Sequence, residues 1–409
     1  MLEKTAAVHA ARRRRLAAFG PAFIAAIAYV DPGNFATNFA GGARFGYLLL
    51  WVTVTANLMA MFVQSLSAKL GLATGESLPE LCRRHYRRPV VLGLWAQAEL
   101  VAVATDVAEV VGGAIALQLL FGLPLFTGGV ITGAVAIALL GLQRRGDRRF
   151  TAAVTGLFAV ILVGFTVMLL GAGADPAAAA AGLVPRFQGT ASLVLATGIL
   201  GATVMPHAIY LHSALAPTDL ATAAPSRRRT ALRAQRADVV VAMGAAGLVN
   251  AAMLLVAAAL LSGAGAAAVD TLAGAHAALG AAVGGSAAVV FALALLASGF
   301  ASASVGTYAG QVIMEGFLHR RIPLLARRLL TLLPALGILA LGVEPTAALV
   351  ISQVALSFGI PFALAPLVAL TRRPDVMADL VNRRATTAWA VVVTVLIVGL
   401  NAVLLVSLV

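Results

Sequence analysis

The chain reads as an all-α polytopic membrane protein of about eleven transmembrane helices. Three observations carry that reading. Of its 409 residues, 61% are hydrophobic and 11% charged, and the mean hydropathy is +0.97, far from the balance of a soluble domain. Apolar stretches near the roughly 20 residues that a helix needs to cross a bilayer recur along the whole chain. The basic residues gather in alternate gaps between those stretches, which is the asymmetry expected of cytoplasmic loops.

Taken in order, residues 1–18 form a basic tail with Lys4 and Arg12 to Arg15. The run "ARRRRLAAFGPAF" resembles a signal peptide, yet no small-residue cleavage site clearly follows and the apolar stretch contains Asp31, so it reads as a retained first span over 20–42. The second span, 46–70, ends in the basic segment Lys69 to Arg88, and the third, 90–120, follows it. The fourth, 122–142, and the fifth, 150–172, flank the cluster Arg144 to Arg149. The sixth, 190–213, leads into "PTDLATAAPSRRRTALRAQRAD", read as the longest loop, with its basic cluster Arg227 to Arg236. The seventh is expected over 238–262, the eighth over 285–316 and the ninth over 323–342, with Arg320 to Arg328 between the last two. The tenth, 345–370, and the eleventh, 387–408, flank Arg372 to Arg384. Of the 29 Lys and Arg residues, only Arg44 and Arg186 fall on the opposite side. The positive-inside rule therefore puts the N-terminus in the cytoplasm and, after an odd number of crossings, the C-terminus outside a cell inner (plasma) membrane. A formal net charge of +13 would suggest nucleic acid on a soluble protein, but here its placement orients the helices and no nucleic-acid partner is expected.

Two spans carry a proline beside a potential ligand: "VDPGN" in the first and "TVMPHAIYLH" in the sixth. Proline removes an N–H and clashes with the carbonyl one turn back, so each helix should break near mid-membrane. They are five spans apart, an odd separation, so they cross in opposite directions, as in two inverted repeats. The expected units are a first five-helix repeat over 19–172, a second over 190–370, and an appended helix over 387–409. Either proline alone would be an ordinary kink; the pair, each beside lone-pair donors, favours a binding site.

Asp31 is the only carboxylate of the first span, and a cation would offset the cost of its charge at mid-membrane. Asn34 offers an amide oxygen, Ala28 a backbone carbonyl if the helix unwinds there, Met205 a thioether, and Ala202 a second carbonyl. Oxygens with one sulfur suit Mn2+, Fe2+ and related transition metals better than Mg2+ or Ca2+. The bland alternatives are that Met205 fills a gap between helices and that Asn34 is an interhelical hydrogen bonder.

The third span carries Glu99, Asp106 and Glu109 on one helix face, which must look inward. Closely placed carboxylates there suit groups that take and release protons. Arg327 and Arg328 at the start of the ninth span are placed to pair with Asp106 and Glu99, the alternative being simple positive-inside anchoring. His207 titrates nearest physiological pH but also reads as a gate or a structural residue, and His212 reads as structural or interfacial. The lone Cys82 excludes an intramolecular disulfide and a thiolate metal cage, and reads as a small inert side chain.

"DPGN" with "MPH", together with "AELVAVATDVAEVVGGAIALQLLFGLPLF" and "SASVGTYAGQVIMEGF", resembles the Nramp family of proton-coupled divalent metal transporters, in its bacterial manganese-transporter branch. The resemblance runs from about Phe19 to the C-terminus. It implies a LeuT-like 5+5 inverted repeat plus one helix, with helices 1 and 6 broken. It implies a metal site of Asp31, Asn34, Met205 and the carbonyls of Ala28 and Ala202, joined by Gln353 of "ISQVALSFG" as the protein changes state. Asn250 is implied as a contributor to the conformational network. The implied proton route leaves Asp31 past Glu109 towards Asp106 and the matching arginine, with His207 nearby. The expected activity is import of Mn2+, with Fe2+ and similar ions, coupled to proton entry by alternating access; metal and proton are substrates, and no resident cofactor is implied.

The rival transporter readings are a Na+-coupled organic-solute symporter of the same fold, disfavoured by the carboxylate and thioether at the breaks, and a Mg2+-transporting relative, disfavoured by the methionine. A membrane enzyme is disfavoured because no H-E-x-x-H, G-x-S-x-G or G-x-x-x-x-G-K-[ST] sequence occurs. A scaffold would leave Asp31 and the acidic row unexplained.

Overall fold

Proline is the first residue of seven helices and the second of two more, its fixed φ and missing N–H being suited to a first helical turn. The computed structural model describes residues 20–144, 147–216, 222–263, 271–320 and 322–407, and among these every regular element is helical. The basic tail at 1–18 lies outside the described residues, as do Arg145 and Arg321 of two later basic clusters.

The first expected span is broken into α1 (Pro21–Ala28) and α2 (Pro32–Phe45), and α3 (Leu50–Thr74) is the second span. A short helix, α4 (Leu78–His85), follows behind a capping box in which Ser77 and Glu80 satisfy each other's backbone N–H groups. The third to fifth spans are α5 (Arg88–Phe121), α6 (Leu125–Arg144) and α7 (Asp147–Gly171). After the six-residue α8 (Pro176–Ala181), the sixth span is again broken, into α9 (Gly189–Thr203) and α10 (Pro206–Ala214). Then come α11 (Pro225–Leu261), α12 (Leu272–Val283), α13 (Gly285–Leu318), α14 (Leu324–Ala340), α15 (Pro345–Thr371), α16 (Pro374–Met377) and α17 (Arg384–Ser407).

Nine stretches among the described residues are long and apolar enough to cross a membrane. One of them, Pro32–Thr74, holds both the second half of the first span and the whole of the second. The ninth expected span, α14, has 17 residues, the lower limit of a crossing at roughly 17–25. Every expected span thus has a helical counterpart, and the two breaks fall at the two prolines.

The main correction concerns the expected longest loop. Helix α11 begins at Pro225 and runs for 37 residues, so most of "PTDLATAAPSRRRTALRAQRAD" is helix. Charge suggested a loop there, whereas Arg, Ala, Leu and Gln are strong helix formers and Pro225 is suited to start one. The helix simply continues past the bilayer. The short helices α4, α8 and α12 were likewise not foreseen, being too short to show as spans.

Packing sorts the helices by role. In the most apolar window of the sixth span 94% of residues are buried, against 28% in those of α7 and α17. The broken helices are therefore interior, while α7 and α17 present side chains such as Leu170 and Val406 outward, as lipid contact requires. Around the interior, α5 packs along α13, α11 along α2 and α3, and α9 along α15. Cys82 in α4 is fully buried, and burial pushes its thiol up to about 12, consistent with the inert reading.

Candidate metal site

Pro32 has no N–H, so the carbonyl of Ala28, four residues back, loses its helical donor. Residues 29–31 leave the helix, and Asp31 becomes the N-cap of α2. Its Oδ1 accepts from the Asn34 backbone N–H at 2.8 Å and from Asn34 Nδ2 at 2.9 Å. Its Oδ2 is buried and has no partner among the described residues. Two more carbonyls at the break are held from other helices: Tyr29 O by Asn250 Nδ2 at 2.8 Å and Val30 O by Ser298 Oγ at 2.6 Å. Asn250 of the seventh span therefore sits at the first break. It is tied to the site by Asn38, whose Nδ2 donates to Asn250 Oδ1 at 3.2 Å and to Asn34 O at 3.0 Å, while Thr53 Oγ1 donates to Asn38 Oδ1 at 3.1 Å.

Pro206 repeats the same chemistry in the sixth span. The carbonyl it deprives is that of Ala202, and this oxygen accepts from Asn34 Nδ2 at 3.0 Å. The Asn34 amide nitrogen thus lies between Asp31 Oδ1 and Ala202 O, two oxygens delivered by different broken helices. A cation in that place would satisfy both, and rotation of the amide would turn its own Oδ1, which has no partner, towards the same point. Met205, one of the two residues between the halves of the sixth span, is fully buried at the N-cap of α10.

Gln353 of α15 reaches the same junction. A Cβ on Gly33 would collide with its side chain and one on Gly201 with its carbonyl oxygen, so both glycines are required for α15 to approach the two breaks this closely. Among the described residues Gln353 Oε1 has no hydrogen-bond partner. Asp31 Oδ2, Asn34 Oδ1 and Gln353 Oε1 are therefore three buried acceptor oxygens without donors at one junction. Among the described residues no group of three or more His, Cys, Asp and Glu side chains is placed to hold a metal, so a cation here would rely on this mixed set of donors.

The acidic row begins next to the first break. The Pro32 ring fills the space where Gly112 of α5 would carry a Cβ. One turn before it is Glu109, buried, with its Oε2 unpartnered and set so close to Gly306 of α13 that a Cβ there would come within 2.6 Å. The next turn holds Asp106, whose Oδ1 accepts from Arg328 Nη1 at 2.7 Å; the same nitrogen donates to Thr307 Oγ1 at 3.2 Å. Arg328 is wholly buried, which fits a paired charge and not a loop anchor. Two turns further, Glu99 accepts from Arg327 through both oxygens, at 3.2 and 2.7 Å. His207 lies across from the row, its Nδ1 3.4 Å from Thr105 Oγ1 and its Nε2 unpartnered. His212 is instead bound to Gln64 Oε1 at 2.7 Å, and Gln64 Nε2 donates to the Tyr29 hydroxyl, so it belongs to packing beneath the first break.

Sequence reasoning missed Asn38, Thr53, Ser298, Gly33, Gly112, Gly201 and Gly306. Asn38 had a signal, lying one helical turn after Asn34; the others are single small residues in apolar helices, which are common in membrane spans for packing alone.

The family model described as "Natural resistance-associated macrophage protein-like", Nramp, matches residues 22–407. The Divalent metal cation transporter MntH of Mycobacterium tuberculosis is 57% identical over 388 residues, 94% of this chain and 90% of that one. The crystal structure of a variant of the Eremococcus coleocola manganese transporter superposes with a TM-score of 0.85 at 34% identity, covering 96% of this chain and 86% of that chain. MhsT, solved in complex with L-phenylalanine, shares the fold at a TM-score of 0.59 and 14% identity, covering 95% of this chain and 98% of that chain.

Proposed function

The chain belongs to the Nramp family, and on that premise we propose that it is a secondary transporter that imports Mn2+, and Fe2+ and similar divalent ions, coupled to proton entry by alternating access. The observation that carries the reading is the junction of the two broken helices, where the Asn34 amide joins Asp31 to the Ala202 carbonyl and Asp31 Oδ2, Asn34 Oδ1 and Gln353 Oε1 have no partner among the described residues. A divalent cation supplies the positive charge that this set lacks. In the proposal Asp31 and Asn34 bind through side-chain oxygens, Ala28 and Ala202 through the carbonyls whose helical donors their prolines remove, and Met205 through sulfur. Gln353 joins as α15 moves against the breaks. The thioether favours transition metals over Mg2+ and Ca2+. Relatives named for divalent metal cation and manganese transport support the substrate class.

For the proton, the proposed route runs from Asp31 past Pro32 and Gly112 to Glu109, then to Asp106 held by Arg328, with His207 alongside. Arg327 pairs with Glu99 at the far end of the row. The protein is a multi-pass membrane protein; in the proposal it lies in the cell inner membrane, and its basic loops support a cytoplasmic N-terminus.

The test is Mn2+ uptake into liposomes containing the purified protein, with internal pH recorded in the same vesicles at negative internal potential. Mn2+ entry with internal acidification is expected, and both should vanish in Asp31→Ala while the variant keeps its elution profile and melting temperature. Mn2+ entry at the wild-type rate in Asp31→Ala would refute the central site, and entry without acidification would refute proton coupling.

A further inference from the structure

The basic residues of one membrane face do more than orient the chain. A cavity of about 430 Å³ opens where α3, the first turns of α11 and the linker between α16 and α17 meet, a size typical of small-molecule sites at roughly 300–1,000 Å³. Its walls carry Lys69, Arg229, Arg233, Arg236 and Arg383 against a single carboxylate, Asp379. That carboxylate is already ion-paired with Arg228. Among the described residues, none of Arg229, Arg233, Arg236 and Arg383 makes a hydrogen bond or ion pair.

The walls are fixed in advance. Arg229, Arg233 and Arg236 recur at helical spacing along one face of α11. The linker is pinned by Asn382, whose side chain donates to Thr371 Oγ1 at 2.9 Å and accepts from Lys69. Lys69 itself is 5% exposed. Retention of a cytoplasmic loop needs only a number of positive charges, which exposed arginines supply. It does not require them to converge, and it gives no reason to bury a lysine among them, where like charges and lost hydration both cost stability. An anion in the cavity removes both costs.

We propose that this cavity is a binding site for a phosphate group, presented either by the headgroup of an anionic phospholipid or by a soluble phosphate. Arginine forks and a lysine point charge are the side chains that recognise such a group, and a basic pocket between membrane helices at the interface is where an anionic headgroup is reached. The bound phosphate ties α3 and α11 to the linker that joins α15 to α17. Because α11 also carries Asn250, which holds the Tyr29 carbonyl at the first break, the occupant steadies a helix that reaches the metal junction.

The experiment uses the purified full chain in mild detergent, with thermal unfolding followed as phosphatidylglycerol, phosphatidylcholine or inorganic phosphate is titrated at constant ionic strength. Wild type is compared with Arg233→Gln/Arg236→Gln and with Arg87→Gln/Arg88→Gln, a control that removes two exposed charges elsewhere on the same face. Phosphatidylglycerol is expected to raise the unfolding midpoint of wild type and of the control, while binding to Arg233→Gln/Arg236→Gln is weakened roughly thirtyfold. The same pattern with inorganic phosphate in place of the lipid would support the site with a soluble ligand. Equal responses of wild type and Arg233→Gln/Arg236→Gln to both ligands, or an equal loss in the control, would overturn the proposal. If the double variant does not fold, Arg229→Gln alone, exposed on α11, is judged by the same comparison.

Discussion

At the scale of single residues, the candidate site is a set of unmet hydrogen-bonding needs. Asp31, Asn34 and Met205 were readable in the sequence because polar or lone-pair groups beside a proline are conspicuous in an apolar helix. That the Asn34 amide joins Asp31 to Ala202 was not, since the partners are 168 residues apart. Met205→Ala should relax selectivity, letting Ca2+ and Mg2+ compete with Mn2+ uptake more than the change weakens Mn2+ binding itself; unchanged competition would return Met205 to packing. Glu109, buried with an oxygen that has no partner among the described residues beside the break, is assigned to the proposed proton route. In Glu109→Gln, vesicle acidification should fall further than Mn2+ binding, and an unaltered pH dependence of uptake would give this residue a structural role only. Arg328 and Asp106 form a buried pair, so Arg328→Met should cost about 3–5 kcal/mol by stranding a carboxylate, with much of the loss recovered in Arg328→Met/Asp106→Leu. A double variant no more stable than the single one would show that the pair does not act as a unit.

At the scale of elements, the breaks are held open by neighbours. Asn250 and Ser298 cap carbonyls that α1 and α2 leave behind, and glycines let α5 and α15 approach. Pro32 seats on Gly112, where a Cβ would overlap its ring. Gly112→Val should therefore destabilise by about 1–3 kcal/mol and abolish uptake although the new side chain touches no proposed ligand. Gly93→Ala on the same helix, with open space where its Cβ would lie, serves as the control and should behave as wild type. Equal melting temperatures for the two variants would remove the wedge from the argument. The spans themselves were legible because length and hydropathy are local properties, and the first half of α11 was not, because charge and helix propensity pointed in opposite directions there.

At the scale of the whole molecule, the alternation of basic loops predicts which face each loop occupies. Cysteine placed at Arg186 should react in intact cells with a membrane-impermeant maleimide, and cysteine placed at Arg84 should react only after lysis. Native Cys82 stays silent in both, since it is buried and its thiol is held near its protonated form, pushed up to about 12. Labelling of the Arg84 position in intact cells would invert the proposed topology. The sequence by itself determined the number and order of the spans, their expected orientation and the two points of rupture, because each depends on neighbours within one or two helical turns. Only the tertiary structure decided that Arg328 takes Asp106 while Arg327 takes Glu99, which side chains cap the freed carbonyls, and that scattered arginines share one cavity with Lys69. Those pairings join residues far apart in the chain, and burial in lipid makes each of them obligatory without leaving a local signal of which partner will meet the need.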